Sequence, residues 1–275
     1  MRAGRETGIG EDARAAAERV VRSWFAAWNR ADQEALRDLL HLPSVSLQAN
    51  RLLVRDTEPA VPGETDFGAP GLDGWHHSTL DSFQARQHGE DKAHAAITFS
   101  RCATNGQKYA DGQAICIVTR RRGRWAIHLY SGTLRPVGIG DGHERGAVAA
   151  ATRVVQDWYA AGDRRDLAAM RSLRHVPHVE LGGARLIVRR RASETRIGLR
   201  EPAARTPWHR SVVERLAVCE RSAQKVTLAA TVARFDAGGG RLDDEEEEAL
   251  HVVTERDGRW GIQVTSRIVV KSLPR

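Results

Sequence analysis

Two stretches of this sequence bring histidine, serine and an acid together within a few residues. The first reads GWHHSTLDSF over residues 74–83, and the second, PWHRSVVERL over residues 207–216, repeats its frame. A histidine and a carboxylate that meet across a cavity can exchange protons with a bound molecule. The matched pairs are His76 with Asp81 and His209 with Glu214. Each stretch is therefore a candidate acid–base site.

The same residues also have a structural interpretation. Side chains in an extended strand alternate between two faces. This rule places on one face His76, Ser78 and Leu80, and on the other Trp75, His77, Thr79 and Asp81. Trp75 and Trp208 would then anchor a core, the histidines would bond to backbone, and the two acids would pair with arginines of a neighbouring strand. The sequence leaves both interpretations open.

An internal repeat explains why the frame occurs twice. Residues 19–47 align without gaps to residues 153–181, and about half of the positions are identical. The match returns at the two Trp-His stretches and again where residues 119–133 align with 254–268. Three separated blocks in the same order indicate a tandem duplication. We predict one domain over residues 12–134 and a second over 147–270, joined by a Gly-rich linker.

Each copy must position these side chains with the same elements. Apolar residues at helical spacing predict a helix over about 12–29, followed by a short helix that carries Leu36, Leu39 and Leu40. The segments SVSL and RLLV predict a first pair of strands, and four long strands follow over about 75–88, 92–103, 108–120 and 124–133. Asn105-Gly106 and Asp257-Gly258 predict hairpin turns. Helices before antiparallel strands indicate an α+β fold.

Histidines elsewhere in the chain offer further acid–base groups. His41 and His175 each stand between a predicted helix and a proline, where they would cap helix carbonyls or stand at a cavity mouth. In the last strand of the first copy, His128 and Tyr130 would share a face opposite Trp125, Ile127 and Leu129. Their counterparts are Gln263 and Thr265. We therefore expect any catalytic cavity in the first copy, with the second copy mainly structural.

Three short motifs accompany this element order: HLP at 41–43, WHHS at 75–78 and GRWAIH at 123–128. Together they resemble the nuclear transport factor 2-like, or SnoaL-like, superfamily, and uncharacterised bacterial members in particular. The resemblance implies two cone-shaped domains, each with N-terminal helices packed on a curved antiparallel sheet around an apolar cavity. Members commonly dimerise through their sheets, so the two copies are expected to form an internal pseudo-dimer, with further self-association open.

The resemblance also implies a range of activities. Members include isomerases, dehydratases, cyclases, epoxide hydrolases and non-catalytic binding modules, so the fold alone does not assign one. The cyclases and epoxide hydrolases commonly carry an aspartate at the first strand. The corresponding positions here are Ser44 and His178, and neither is acidic.

Two hypotheses follow from these residues. The first is a cofactor-free enzyme for an apolar small molecule, with the catalytic residues His41, His76, Asp81 and His128. The second is a tandem module that binds a ligand or a protein without catalysis. The side chains predicted to line a ligand site are Trp24, Trp28, Trp75, Ser78, Tyr109, Tyr130, His175, Trp208, His209 and Glu214.

Composition and charge limit the classes of partner that we expect the chain to bind. The net charge is +7, but the 42 basic residues are scattered and lack the interleaved aromatics of a nucleic-acid surface. Three cysteines form no CxxC pair, and Cys116 lies in an apolar run that predicts a buried thiol. No apolar run reaches the length of a membrane span, and the N-terminus lacks the core of a signal peptide. We expect a cytoplasmic protein that binds neither nucleic acid nor membrane.

We expect no metal or cofactor. His76 and His77 point to opposite faces of a strand, and His175 and His178 flank a proline without helical geometry. No phosphate loop or dinucleotide fingerprint is present. The acidic run DDEEEE at 243–248 lacks the spacing of a calcium loop, so we interpret it as a solvated edge.

Overall fold

The computed structural model of the chain describes residues 12–55, 74–138, 144–195, 208–242 and 247–269. Within these ranges no helix has the length and apolar character needed to cross a membrane.

Each copy begins with a long helix and a short one, as predicted. Their bounds are α1 (Ala13–Asn29) and α2 (Gln33–Asp38) in the first copy, and α3 (Glu144–Asp163) and α4 (Leu167–Ser172) in the second. An aspartate starts each short helix by accepting a backbone N–H of the first turn, because that group has no partner within the helix. The Asp32 carboxylate lies 3.0 Å from the nitrogen of Ala35, and the Asp166 carboxylate 2.9 Å from that of Ala169.

Six strands follow the helices in each copy. In the first copy they are β1 (Leu40–Gln48), β2 (Arg51–Arg55), β3 (Trp75–His88), β4 (Lys92–Ala103), β5 (Lys108–Arg121) and β6 (Arg124–Pro136). In the second copy they are β7 (Arg174–Gly182), β8 (Arg185–Arg189), β9 (Arg210–Arg221), β10 (Lys225–Phe235), β11 (Glu247–Arg256) and β12 (Arg259–Val269). The predicted first pair and the four long strands of the first copy are confirmed.

The two sheets have the same topology. Their strand orders are β2-β1-β6-β5-β4-β3 and β8-β7-β12-β11-β10-β9. Each is antiparallel except where the first strand of the copy runs parallel to the last, β1 beside β6 and β7 beside β12. The Pro43 and Pro177 peptide bonds are cis, and both prolines lie inside the first strand rather than before it. The chain is thus an α+β protein built from two similar domains.

One face of each sheet packs against the helices of its own copy. In the first copy Val20, Val21 and Phe25 of α1 join a core with Ile97 and Phe99 of β4. In the second copy α3 packs against β10, β11 and β12 in the same way. We call these helix-covered interiors the first cone and the second cone. Cys116 lies buried in the first cone, as predicted, and burial raises the pKa of its thiol to about 12.

The other faces of the two sheets contact each other. Apolar residues from both copies form one buried cluster, including Leu47 and Ile117 from the first sheet and Leu181, Leu250 and Val264 from the second. We call this layer the intersheet core. It removes a large apolar surface of both sheets from water, which is the main favourable term in such packing.

A buried lysine from each sheet crosses the intersheet core. Lys92 donates to the carbonyls of Leu181 at 2.8 Å and Arg267 at 3.0 Å, and to the Ser266 hydroxyl at 3.3 Å. Lys225 makes the reciprocal contacts with the first sheet, to the Leu47 carbonyl, the Ser131 hydroxyl and the Gly132 carbonyl. Because every donor of each ammonium has a partner, the two lysines fix how one sheet sits on the other.

Candidate functional site

The Trp-His stretch of the first copy does not follow simple strand alternation. The pairing of β3 with β4 shifts between Trp75 and His77 and again between Leu80 and Ser82. A bulge inserts one residue and moves the following side chains to the other face. As a result Trp75 donates from Nε1 to the Ser78 hydroxyl at 3.0 Å, although alternation placed these two side chains on opposite faces.

The matched histidines and acids of the two stretches bond to other residues. His76 is exposed, and its Nδ1 lies 3.1 Å from Nδ1 of His77. Asp81 accepts a hydrogen bond of 2.6 Å from the Ser100 hydroxyl. Glu214 forms an ion pair of 2.7 Å with Arg241, as the structural interpretation expected. None of these contacts joins a histidine to an acid.

The second copy repeats the tryptophan contact without repeating the histidine pair. Trp208 is buried and donates to the Ser211 hydroxyl at 2.9 Å, whereas His209 is exposed. The guanidinium groups of Arg165 and Arg234 lie 4.1 and 4.6 Å from the Trp208 ring. Trp208 is therefore an anchor between charged side chains.

His41 and His175 lie inside the sheets and do neither of the things expected of them. Nε2 of His41 donates to the Thr119 carbonyl at 3.0 Å, and its Nδ1 accepts from Arg124 at 3.3 Å. His175 makes the same two contacts with Thr254 and Arg259. Burial is the main cause that lowers the pKa of both histidines. They stay neutral at pH 7.

Arginines, not these histidines, cap the short helices. Arg124 donates to the carbonyls of Asp38 and Leu40, and Arg259 donates to those of Ser172 and Arg174. The carbonyls at the end of a helix have no partner within it, so a long cationic side chain suits this position.

His128 occupies a bulge in β6. The pairing of β5 with β6 shifts between Ile117 and Val118, which leaves His128 as the extra residue. It is fully buried, its Nδ1 lies 3.1 Å from the Thr119 hydroxyl, and burial lowers its pKa to about 3. Tyr130, beyond the bulge, packs in the first cone. The prediction that His128 and Tyr130 share a face opposite Ile127 is wrong, because the bulge reverses the alternation.

Four aromatic side chains cluster in the first cone. Trp24 stacks on Trp28 and on Tyr130, each with ring centroids 6.5 Å apart, and Trp28 meets Trp75 edge-on at 6.2 Å. All four are partly exposed. We call them the aromatic rim. Four predicted ligand-site residues are thus brought together. Tyr109 does not join them and is the extra residue where the pairing of β4 with β5 shifts.

The second cone contains charged side chains that the sequence reasoning missed. We call the following six residues the arginine cluster: Arg174, Glu180, Arg189, Arg234, Glu247 and Arg267. Glu180 lies 2.8 Å from Arg174 and 3.1 Å from Arg189. Glu247 lies 2.8 Å from Arg234 and 3.1 Å from Arg267. Each glutamate therefore joins two arginines.

One expectation is corrected at Glu247. The acidic run 243–248 was interpreted as a solvated edge, and its residues 243–246 lie outside the described residues. The Glu247 side chain, however, is only 12% exposed and points at two arginines. Burial favours a higher pKa for Glu247, but Arg267 and Arg234 outweigh it, so the pKa is lowered. The second cone thus holds an ionic network. Residues two apart in a strand share a face, and Ala249 is buried. This alternation could have predicted that Glu247 points into the second cone.

A buried histidine lies beside this cluster. His251 contacts the Tyr159 hydroxyl through Nε2 at 3.0 Å, and burial lowers the pKa of His251 to about 3. Among the residues that the structure describes, no three histidine, cysteine or acidic side chains are grouped to hold a metal ion.

No protein-family model matches the sequence, and no curated protein matches it. Solved structures to which the chain is similar include a cystatin-like-fold protein of unknown function from Nostoc punctiforme PCC 73102, with 10% identity and a TM-score of 0.38 over 46% of this chain and 93% of that one. An NTF-2-like protein of unknown function from Shewanella oneidensis MR-1 has 11% identity and a TM-score of 0.36 over 43% and 97%. A ketosteroid isomerase-like protein from Erwinia carotovora atroseptica SCRI1043 has 17% identity and a TM-score of 0.35 over 47% and 99%. These likenesses assign no activity.

Proposed function

We propose that the chain is a tandem small-molecule-binding protein whose first cone takes a planar, apolar ligand at the aromatic rim. The observation that carries this proposal is the contact of Trp24, Trp28, Trp75 and Tyr130 at one place while all four stay partly exposed. Rigid aromatic rings present a large contact area to a flat ligand and gain further energy from stacking.

Binding has more support than acid–base catalysis. A general base must reach the proton that it removes. His41 and His128 instead bond to Thr119 and have pKa values below the usual range because of burial. Asp81 bonds to Ser100, and His76 to His77. The four residues of the enzyme hypothesis thus bond within the sheet rather than around a shared space.

The neutral dye N-phenyl-1-naphthylamine provides a direct test, since it carries no charge. We expect its fluorescence to rise on binding and the Trp28→Gly variant to bind it roughly tenfold more weakly through loss of one aromatic contact. Glycine is chosen because the second copy has Gly162 at this position. The Trp260→Phe variant, altered in the second copy, is the matched control and keeps the wild-type affinity. Equal dye binding by wild type and Trp28→Gly would overturn the proposal.

A further inference from the structure

The arginine cluster carries more positive charge than its own acids neutralise. Four arginines face two glutamates in the second cone, an excess of two positive charges. Burial lowers the pKa of Arg174 to about 10, so this group stays charged at neutral pH. The pKa of Arg267, by contrast, is raised by the neighbouring Glu247 carboxylate, so Arg267 is charged as well. Unbalanced charge in a partly buried site is unfavourable unless a counter-ion joins it.

Two of these arginines also have a donor without an acceptor. The Nε atoms of Arg174 and Arg189 are buried and make no hydrogen bond, whereas Nε of Arg267 faces the Glu247 carboxylate at 3.1 Å. The Arg174 side chain is only 2% exposed and lies against the Trp158 ring at 4.2 Å. A buried polar group that lacks a partner destabilises a protein, and a bound water molecule or ion is one way to satisfy it.

One side of the cluster is open to solvent. The side chains of Arg189, Glu180 and Arg267 are 21%, 24% and 27% exposed. An arginine fork matches the two oxygens of a carboxylate or a phosphate, and such charge-assisted pairs are among the strongest hydrogen bonds in proteins.

The fold does not require four of the six charges. The first copy has the same topology with Leu40 in place of Arg174, Ser46 in place of Glu180, and glycines (Gly112 and Gly132) in place of Glu247 and Arg267. Arginines stand in both copies only at the positions of Arg189 and Arg234, where the first copy has Arg55 and Arg101. The complete network is therefore particular to the second copy, which can use it for recognition.

We propose that the second cone binds a small molecule through an oxyanion, a carboxylate or a phosphate group, held by Arg174, Arg189 and Arg267. This site is separate from the aromatic rim, and its failure would leave the proposed function of the first cone untouched. The excess of two charges favours a dianion.

Isothermal titration calorimetry with succinate and with inorganic phosphate tests the site on the full chain. We expect the Arg189→Gln variant to bind the tighter of the two anions roughly tenfold more weakly, through loss of a charge-assisted bond. Arg185→Gln removes the same charge from an exposed position of β8 and keeps the affinity. The preferred anion identifies the source as a carboxylate or a phosphate.

The Glu247→Gln variant separates recognition from a structural role. It removes an internal competitor for Arg234 and Arg267, so affinity for the anion rises, by roughly tenfold from the added net charge. A purely structural network predicts lower stability and no gain in binding. The proposal is overturned if neither anion binds wild type, or if Arg189→Gln and Arg185→Gln lose affinity equally.

Discussion

The two cones have the same topology and different interiors. In the first cone the Phe99 ring lies over Gly112, and a Cβ atom at Gly112 would stand only 2.2 Å from that ring. The Tyr130 ring lies over Gly132 in the same way. In the second cone the corresponding pairs are Val232 with Glu247 and Thr265 with Arg267. A large ring over glycine is thus exchanged for a small residue beside a long charged one.

This exchange shows how a duplicated domain changes its chemistry without changing its backbone. Interiors are close-packed, so a longer side chain at one position requires a smaller one at its neighbour. The paired exchange keeps the space filled while it converts an aromatic interior into an ionic one. Gly112 and Gly132 are therefore needed to leave room for the Phe99 and Tyr130 rings, and not for backbone flexibility.

A second difference between the two copies lies in the intersheet core, around the two buried lysines. Lys225 has an acid partner, because its Nζ lies 2.9 Å from Oε1 of Glu220 and both side chains are fully buried. At the position matching Glu220, the first copy has Gln87, which bonds to His94 and to the Ala230 carbonyl. Burial lowers the pKa of Lys92 to about 7.

The largest effect is expected from making the two lysine sites alike. The Glu220→Gln variant leaves the Lys225 ammonium buried without a counter-charge, and we expect the free energy of unfolding to fall by about 3–5 kcal/mol. Urea unfolding measures the loss. Burial already lowers the pKa of Lys225, opposed by Glu220. Without that opposition the loss shrinks as the pH rises toward the usual lysine pKa, because the folded state releases the proton.

The exposed pair of Glu214 and Arg241 supplies the control for this variant. Glu214→Gln removes the same charge at the surface, where an ion pair contributes about 0–1 kcal/mol. If Glu220→Gln and Glu214→Gln unfold at the same urea concentration, the intersheet ion pair is not what distinguishes the two copies.

An intermediate effect is expected from adding one methyl group to the first cone. Gly112→Ala brings a Cβ against the Phe99 ring, and we expect a loss of about 1–3 kcal/mol in unfolding free energy. Adding Phe99→Val, the residue of the second copy, should recover part of that loss by opening the space. Equal losses in the single and double variants would refute the paired exchange.

Gly146→Ala is the matched control for the methyl group. No atom lies within 4 Å of a Cβ built there, and Gly146 lies in α3. Alanine favours a helix over glycine, so this variant is expected to be neutral or slightly more stable.

The smallest effect is a change in acid sensitivity. The pKa of His128 is about 3 in the folded protein, below the value near 6.5 of an unfolded chain. The unfolded state therefore binds more protons below pH 6.5, and stability falls as the pH drops through that window. We expect the wild-type unfolding free energy to be about 1 kcal/mol lower at pH 5.5 than at pH 7.5 because of His128. The His128→Gln variant, which introduces the second copy's residue Gln263, should lack this difference. Thermal unfolding at the two pH values measures it, and an unchanged difference contradicts the prediction.

Sequence patterns predicted the elements well because those patterns are local. The strand bounds 75–88 and 92–103 match the structure, and the Asp257-Gly258 turn has the two positive φ angles of a two-residue hairpin. The faces of single side chains were predicted less well. One extra residue at the bulges near Trp75 and at His128 reverses the alternation, and nothing local in the sequence marks those positions.

The candidate-site residues likewise differ in whether local sequence could predict them. The tryptophans of the aromatic rim could be named from their types, because large aromatic residues are common in ligand sites. The arginine cluster could not, since its members come from five strands, β7, β8, β10, β11 and β12, and only pairing brings them together. Scattered arginines gave no signal in a sequence where they are the common basic residue.

By itself the sequence determined the duplication, the order of helices and strands and the α+β class, since repeats, periodicity and turn residues are written in neighbouring positions. Only the tertiary structure decided which side chains meet. It placed Lys92 and Lys225 between the sheets, turned His41 and His128 toward Thr119, and gathered the arginines in the second cone. Such contacts depend on strand register and on the packing of one sheet against another, which are set by the whole chain rather than by any segment of it.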